Sequence, residues 1–304
     1  MQIYLPIAEV SVNALVLLGL GGAVGLISGL FGVGGGFLLT PLLILIGIPP
    51  AVAVSTQAPQ IVAASFSGML AQLKRNAVDV KMGLVLLGGG LLGSWVGVQL
   101  FSVLRELGQV EFAVTLLYVV FLGTVGTLMA VEVLTTMRRH RMGGPRRLGR
   151  RRRWIHRLPL KTRFKTSKLY ISVIPPLVIG FAVSVLGAVM GVGGGFIMLP
   201  AMIYLLGMPT RVVVGTSLLT ILVQMAFTTV LHAVENQTVD AALAVLLLLG
   251  SVLGAQFGTQ LGARLKGEYL RGLLAALVLL VALVLARDLL ITPDELYSVS
   301  EVGT

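Results

Sequence analysis

At 304 residues the chain has the length of two soluble domains, yet 56% of its residues are hydrophobic and only 12% are charged. With a mean hydropathy of +0.98 this composition belongs to a multispanning membrane protein. The absence of cysteine excludes disulfides, thiolate metal centres and thiol nucleophiles.

The net charge of +11 does not describe a nucleic-acid surface, because it is concentrated in one segment. Arg138 to Lys168 holds 14 Lys and Arg and no Asp or Glu, leaving 9 of the 23 basic residues to face all 12 acidic ones elsewhere. Such a segment fits a cytoplasmic loop that fixes orientation by the positive-inside rule, and its arginines suit anionic headgroups. Trp154 and Phe164 could rest at the interface.

In chain order, Met1 to Asn13 carries Glu9 and no Lys or Arg, so it lacks the basic start of a cleaved signal peptide. The first apolar segment, Val12 to Phe31, is expected to remain as a span of about 30 Å. Its Gly19, Gly21, Gly22, Gly25 and Gly29 suit close helix packing. Gly32-Val33-Gly34-Gly35-Gly36 then predicts a break, since each glycine costs a helix roughly 1 kcal/mol relative to alanine. Phe37 to Ile46 is a short apolar piece of about 15 Å, ended by Gly47-Ile48-Pro49-Pro50. Further segments cover Ala51 to Leu73, Met82 to Leu104 and Glu111 to Leu134. Beyond the basic loop the order returns: Leu169 to Met190, a second Gly-rich break, Phe196 to Leu206, Val212 to His232, Ala241 to Leu265 and Tyr269 to Leu290.

The second break repeats the first letter for letter, Gly191-Val192-Gly193-Gly194-Gly195-Phe196 with Pro200 standing where Pro41 stands. Other landmarks pair Pro49 with Pro209, Thr56 with Thr216, Val78-Asp79 with Val239-Asp240, and Gly93 with Gly254. The offset drifts from 159 to 161, as two single-residue insertions would cause. The chain therefore divides into a first transmembrane repeat (12–134), a basic cytoplasmic loop (135–168), a second repeat (169–290) and a polar tail (291–304). Charge sets the topology. With the basic loop inside, Lys74 to Lys81 is also inside, while its partner Ala233 to Asp240, which has no Lys or Arg, falls outside. Five crossings per half then give an all-α, inverted-repeat helical bundle with a Gly-broken short helix in each half and both termini periplasmic.

Nothing in the spans supports catalysis. No Lys-Ser or Lys-Thr follows either Gly cluster, so there is no phosphate loop, and the span centres carry no Asp or Glu. His232 stands at a span end, and Glu132, Arg287 and Asp288 read as interfacial charges. An enzyme, a cofactor, a metal and a nucleic-acid partner are accordingly not expected. Uncharged hydrogen-bonding residues remain at depth. The third segment carries Ser55, Thr56, Gln57 and Gln60 and its partner carries Thr216, Ser217, Thr220 and Gln224, and Gln57 and Gln60 align with Ser217 and Thr220 on one helical face. They fit a polar pathway or, as the plainer alternative, hydrogen bonds between helices. At the breaks, the helices beginning near Phe37 and Phe196 would present free N–H groups and a positive dipole end. Gly34, Gly35, Gly36 and Phe37, with Gly193, Gly194, Gly195 and Phe196, would thus bind an anion without a buried cation.

These residues carry a family resemblance over roughly Ala14 to Leu290. Ser28-Gly29-Leu30-Phe31-Gly32-Val33-Gly34-Gly35-Gly36 with Pro41, its second copy from Gly187 to Gly195 with Pro200, and Val214-Gly215-Thr216-Ser217-Leu218 resemble the TauE/SafE sulfite exporter family, also called the 4-toluene sulfonate uptake permease family. Val54-Ser55-Thr56-Gln57 is a looser version of the last motif. The resemblance implies a secondary carrier of small sulfur-containing anions (sulfite, organosulfonates such as sulfoacetate, or thiosulfate) in the bacterial inner membrane. Export and import both occur in such a family, and export is the expected direction here. An anion channel and a non-transporting membrane scaffold are the alternatives, and a homo-oligomer stays open. Alternating access would rock one half against the other.

Overall fold

A computed structural model describes residues 2–31, 36–142, 159–164, 166–167, 169–262 and 267–290. A hairpin of β1 (Gln2–Leu5) and β2 (Val10–Asn13) leads into α1 (Ala14–Phe31), followed by α2 (Gly36–Leu45), α3 (Pro50–Lys74), α4 (Val80–Glu106) and α5 (Val110–Met142). A second hairpin, β3 (Lys161–Phe164) and β4 (Leu169–Ser172), leads into α6 (Ile174–Met190), α7 (Gly195–Pro200), α8 (Thr210–Leu231), α9 (Ala241–Gly262) and α10 (Gly267–Leu290). Among the described residues, five stretches are long and apolar enough to cross a membrane: Val80–Glu106, Val110–Val131, Val212–Asn236, Ala241–Gly258 and Gly272–Leu290. Leu116, Val120 and Leu128 on α5 and Leu273, Leu280 and Leu283 on α10 are exposed, as lipid-facing side chains are. The chain is an all-α integral membrane protein.

The segment boundaries differ from expectation in three places. Both hairpins replace what reads as loop or helix start, so the first helix begins at Ala14 and the sixth at Ile174. The fifth helix runs past Leu134 to Met142, into the basic segment. Residues 143–158, with Trp154 and most of the arginines, lie outside the described residues, as do Arg264 and Lys266.

The two insertions in the second half have a structural form. π-helical turns occupy Ala201–Leu205, just after Pro200, and His232–Asn236, just after α8. Their first-half counterparts lie in α2 and α3, which are regular α-helices there. A π turn absorbs one extra residue without ending the helix. Each falls in the interval where the repeat offset grows by one.

Contacts exchange between the halves residue for residue. α1 packs along α9, and α6 packs along α4. On the first seam a β-carbon at Gly254 would overlap the Gly22 carbonyl, and one at Gly21 would lie 2.8 Å from the Leu247 carbonyl. On the second seam Gly93 meets the Phe181 carbonyl and Gly180 the Leu86 carbonyl in the same way. Those four pairs map onto one another under the repeat alignment. The seams are close backbone packing of the kind small residues permit in lipid. Gly19 takes no part, with nothing within 4 Å of its β position.

The caps exchange too. Asp79 accepts from the Met82 N–H at 3.1 Å and opens α4, and Asp240 accepts from Leu243 N–H at 3.1 Å and opens α9. The Asp79 N–H donates to Thr216 Oγ1 at 2.9 Å, and the Asp240 N–H to Thr56 Oγ1 at 3.0 Å. The hairpin side completes each cap. Ser167 donates to Asp79 from N–H at 2.9 Å and Oγ at 2.6 Å, while the Ile7 N–H donates to Asp240 at 3.2 Å. Both carboxylates are buried, so Asp240, which loop-charge reasoning treats as exposed, is a buried cap. Thr56 lies near the start of α3 and Asp79 follows its end. The two caps therefore sit at opposite ends of that 25-residue helix.

Two outcomes follow for the purified chain in detergent. Gly254→Val, which forces the first seam apart, should lower stability by roughly 1–3 kcal/mol in thermal unfolding, whereas Gly19→Ala should be neutral or raise it by up to about 1 kcal/mol. Thr56→Val and Thr216→Val each leave a buried backbone N–H without its acceptor and should cost about 1–3 kcal/mol apiece.

Candidate functional site

The second break is built by left-handed backbone. Gly191, Gly193 and Gly194 have φ of 70°, 73° and 69°, a region that L side chains avoid, so the glycines end α6 and turn the chain into α7. Contacts add a second requirement at Gly191, where a β-carbon would lie 2.7 Å from the Val54 carbonyl of α3. The first break, including Gly34 and Gly35, lies outside the described residues. Its end, Gly36, starts α2.

The two breaks converge on α3. A β-carbon at Gly36 would be 2.7 Å from Ile61 Cδ1, and one at Gly193 would be 2.8 Å from the same atom. Phe37 and Phe196, the residues that follow the repeated glycines, stack with ring centroids 4.5 Å apart, and Phe121 of α5 meets Phe196 edge-on at 6.0 Å. Tyr118, also on α5 and fully buried, donates its hydroxyl to the Met190 carbonyl at the end of α6. It pins the second break from the first half. Neither Ile61 nor Tyr118 carries any sequence signal for this role beyond being apolar or aromatic in a span.

A small pocket opens beside the second break, lined by Ile61 and Ser65 of α3, by Val192, Gly193, Gly195 and Leu199, and by Val214, Ser217, Leu218 and Ile221 of α8. None of these residues is ionisable. The N–H groups of Gly195 and Phe196 precede the first intrahelical acceptor, since the Ile197 and Met198 N–H groups already take the Gly194 carbonyl at 3.1 and 2.7 Å. The apolar helical piece they begin extends from Gly195 to Leu205. Its dipole places partial positive charge at the break.

The expected site residues have different surroundings. Gly193 and Gly195 line this pocket with Ser217, whose hydroxyl donates to the Val214 carbonyl at 3.0 Å, and Gly194 and Phe196 adjoin it. Ser55, Thr56 and Thr216 serve the caps instead. Ser55 Oγ lies 2.6 Å from Thr238 Oγ1 and also donates to the Ala51 carbonyl at 2.9 Å, and the two threonines accept from the aspartate N–H groups. Gln57 is occupied at both ends of its amide, donating to the Gly36 carbonyl and accepting from the Thr40 hydroxyl, and so ties α2 to α3. Thr220 donates to the Thr216 carbonyl of its own helix at 2.9 Å. Gln60 and Gln224 differ from all of these: Gln60 Oε1 and Gln224 Nε2 are buried without a hydrogen-bond partner, as are the hydroxyls of Ser94, Ser184 and Thr228. Ser94 and Ser184 escape sequence reasoning because a lone serine in a span reads as packing.

At the far end of α8, His232 is buried, with Nε2 3.1 Å from the Ala188 carbonyl and Nδ1 3.1 Å from Asn236 Nδ2. The carbonyl can only accept, so Nε2 carries the proton and Nδ1 accepts from the amide. Phe101 packs edge-on against the ring at 5.0 Å. A histidine held at both nitrogens in this way stabilises the π turn. Among the described residues no group of His, Cys, Asp and Glu could hold a metal ion.

Similar proteins agree with this architecture. The chain is 29% identical over 270 residues to a probable membrane transporter protein, YjnA, of Bacillus subtilis (strain 168), covering 89% of this chain and 98% of that one. A probable membrane transporter protein of Xylella fastidiosa (strain Temecula1) is 28% identical over 258 residues, 84% of this chain and 87% of its own. No solved structure matches the chain. The family model described as "Sulfite exporter TauE/SafE" matches residues 17–285, and the chain therefore belongs to that family of membrane transporters.

Proposed function

We propose that the protein is a secondary carrier of small sulfur-containing anions, sulfite, organosulfonates or thiosulfate, and that the anion binds at the Gly-rich breaks. The observation that carries this reading is the uncharged pocket at the start of α7, lined by Gly193 and Gly195 together with Ser65 and Ser217. Anion binding at a helix N-terminus needs no buried Lys or Arg. By the repeat, Gly34, Gly35 and Gly36 are the sequence counterparts of Gly193, Gly194 and Gly195. Export is the direction the family description suggests.

The two halves are inverted with respect to the membrane. Supporting this are the exchanged seams and caps, and above all the placement of Asp79 and Asp240 at opposite ends of α3. In this arrangement the basic segment is cytoplasmic and both termini are periplasmic in an inner membrane.

Because the chain has no cysteine, single-cysteine labelling reads topology directly. A cysteine at Asn76 should react with an impermeant maleimide only from the cytoplasmic side, and one at Gln237 only from the opposite side. Labelling of both from one side would sink the inverted arrangement. In proteoliposomes, efflux of sulfite or thiosulfate should fall at least tenfold in Gly194→Leu, which strains the break, and in Ser217→Leu, which fills the pocket. Wild-type rates in both variants, with intact folding, would remove the site from the breaks.

A further inference from the structure

We propose that Ser94, Ser184, Gln224 and Thr228 form a second binding site for a small oxyanion, separate from the pocket at the break and present in one half only. The argument begins with unpaired donors. All four side chains are at least nine-tenths buried, and Ser94 Oγ, Ser184 Oγ, Gln224 Nε2 and Thr228 Oγ1 have no partner. Leaving even one such group unpaired in an apolar interior is costly, so four together point to an occupant.

The helices bring these groups to one place. α4 runs beside α8 in the same direction, since a β-carbon at Gly83 would lie 3.1 Å from Leu219 Cδ2 and one at Gly90 would overlap Gln224 Nε2. One turn further on each helix, Ser94 and Thr228 reach a common level. α4 also runs in the same direction as α6. Gly93 meets Phe181, and a β-carbon at Gly97 would lie 2.8 Å from Ala188 Cβ, which sets Ser184 beside Ser94. Gly90 is part of the site because only a missing side chain there leaves room for the Gln224 amide.

The chemistry of the cluster selects the ligand. The free Gln224 atom is a nitrogen that can only donate, and each hydroxyl has a proton to give. No carboxylate belongs to the cluster, and the free Gln224 nitrogen, a donor only, cannot ligate a cation. One water accepts too few hydrogen bonds for four donors, whereas a tetrahedral or pyramidal oxyanion has lone pairs for all of them.

The repeat then shows that the site is one-sided. Under the alignment, Ser94 corresponds to Ala255, Ser184 to Gly25, Gln224 to Ala64 and Thr228 to Gly68, none of which has a hydrogen-bonding side chain. Seams and caps obey the two-fold relation, and this cluster breaks it. An anion crossing between the halves would meet this station on one side of α8 only.

The test is equilibrium binding of radiolabelled thiosulfate to the full chain in detergent, with thermal unfolding alongside. The triple variant Ser94→Ala, Ser184→Ala, Thr228→Val removes only unpaired hydroxyls, so it should fold. The wild type should bind a second equivalent that the triple variant loses or binds at least about tenfold more weakly. Gly194→Leu should keep that equivalent. Unchanged binding in the triple variant, accompanied by a rise in its melting temperature, would mark the donors as merely unsatisfied and overturn the proposal. Absence of any bound thiosulfate in the wild type would overturn it too. Thiosulfate held by the cluster without flux in proteoliposomes would defeat the transport reading and leave this one standing.

Discussion

Everything in this fold depends on helices meeting backbone to backbone along the α1–α9 and α4–α6 seams. Lipid tails are as apolar as leucine, so burial of side chains gives little reason for two helices to associate, and close dispersion contact must supply it. Glycine at Gly21, Gly25 and Gly254, and at Gly93 and Gly180 on the second seam, removes the side chains that would hold the helices apart. One consequence concerns motion. Each seam joins a helix of the first repeat to a helix of the second, so the two sequence halves are not the natural rigid bodies. The buried clusters cross between the halves as well. One gathers side chains mainly of α1, α2, α5, α9 and α10 but also Val52, Ala53 and Val54 of α3, Phe101 of α4, Met190 of α6 and Phe196 of α7; another takes Met82 and Leu86 of α4, Ile179 and Val183 of α6, Met198 of α7 and Val212 and Val213 of α8; and a small third one, Ala58, Ile61, Ile221 and Met225, lies between α3 and α8. In the proposed cycle, rocking would therefore move bodies made of helices from both halves and leave the glycine seams intact.

The aspartate caps explain how such bodies stay in register. Each carboxylate holds the start of one helix, while its N–H reaches a threonine on a helix of the other repeat. A cap of this kind is charged, buried and satisfied by several donors at once, so breaking it exposes an unpaired charge and is strongly disfavoured. The hairpins β1–β2 and β3–β4 close over the caps through Ile7 and Ser167. Four short strands in an otherwise helical chain thus have a definite task, shielding two carboxylates at the two ends of the bundle.

Much of this was legible in the sequence, and the failures have physical reasons. The breaks were legible because glycine's cost to a helix is local and several together leave no ambiguity at Gly191 to Gly195. The seams were legible as a class, small residues in α1, but not their partners, since glycine spacing says nothing about which helix it meets. Asp79 and Asp240 were visible as repeat landmarks, yet hydropathy counts a carboxylate as exposed whatever its donors, so their burial was not. Gln57 and Gln60 stand on one helical face and look equivalent, but Thr40 and the Gly36 carbonyl claim the first amide and leave the oxygen of the second unpaired. Only geometry distinguishes them. The insertions were countable from the offset, whereas their form as π turns follows from hydrogen bonding that no composition reveals.

A site without fixed cations also accounts for where the positive charge of the chain is and is not. An Arg or Lys at the bilayer centre costs roughly 2.5–3.5 kcal/mol or more, and one that held an anion tightly would have to let it go at every turnover. Backbone N–H groups at a broken helix, together with neutral hydroxyl and amide donors, avoid both penalties. They are always paired with a helix, never titrate, and bind with a strength that the closing and opening of the α3–α8 contact can change. In the sequence the 14 Lys and Arg between Arg138 and Lys168 follow the first repeat as one block, where under the proposed topology they would orient the chain without entering the path. Under that division of labour the proposed anion's charge would be met by dipoles along the path and by cations only beyond its end, which would make release no harder than entry.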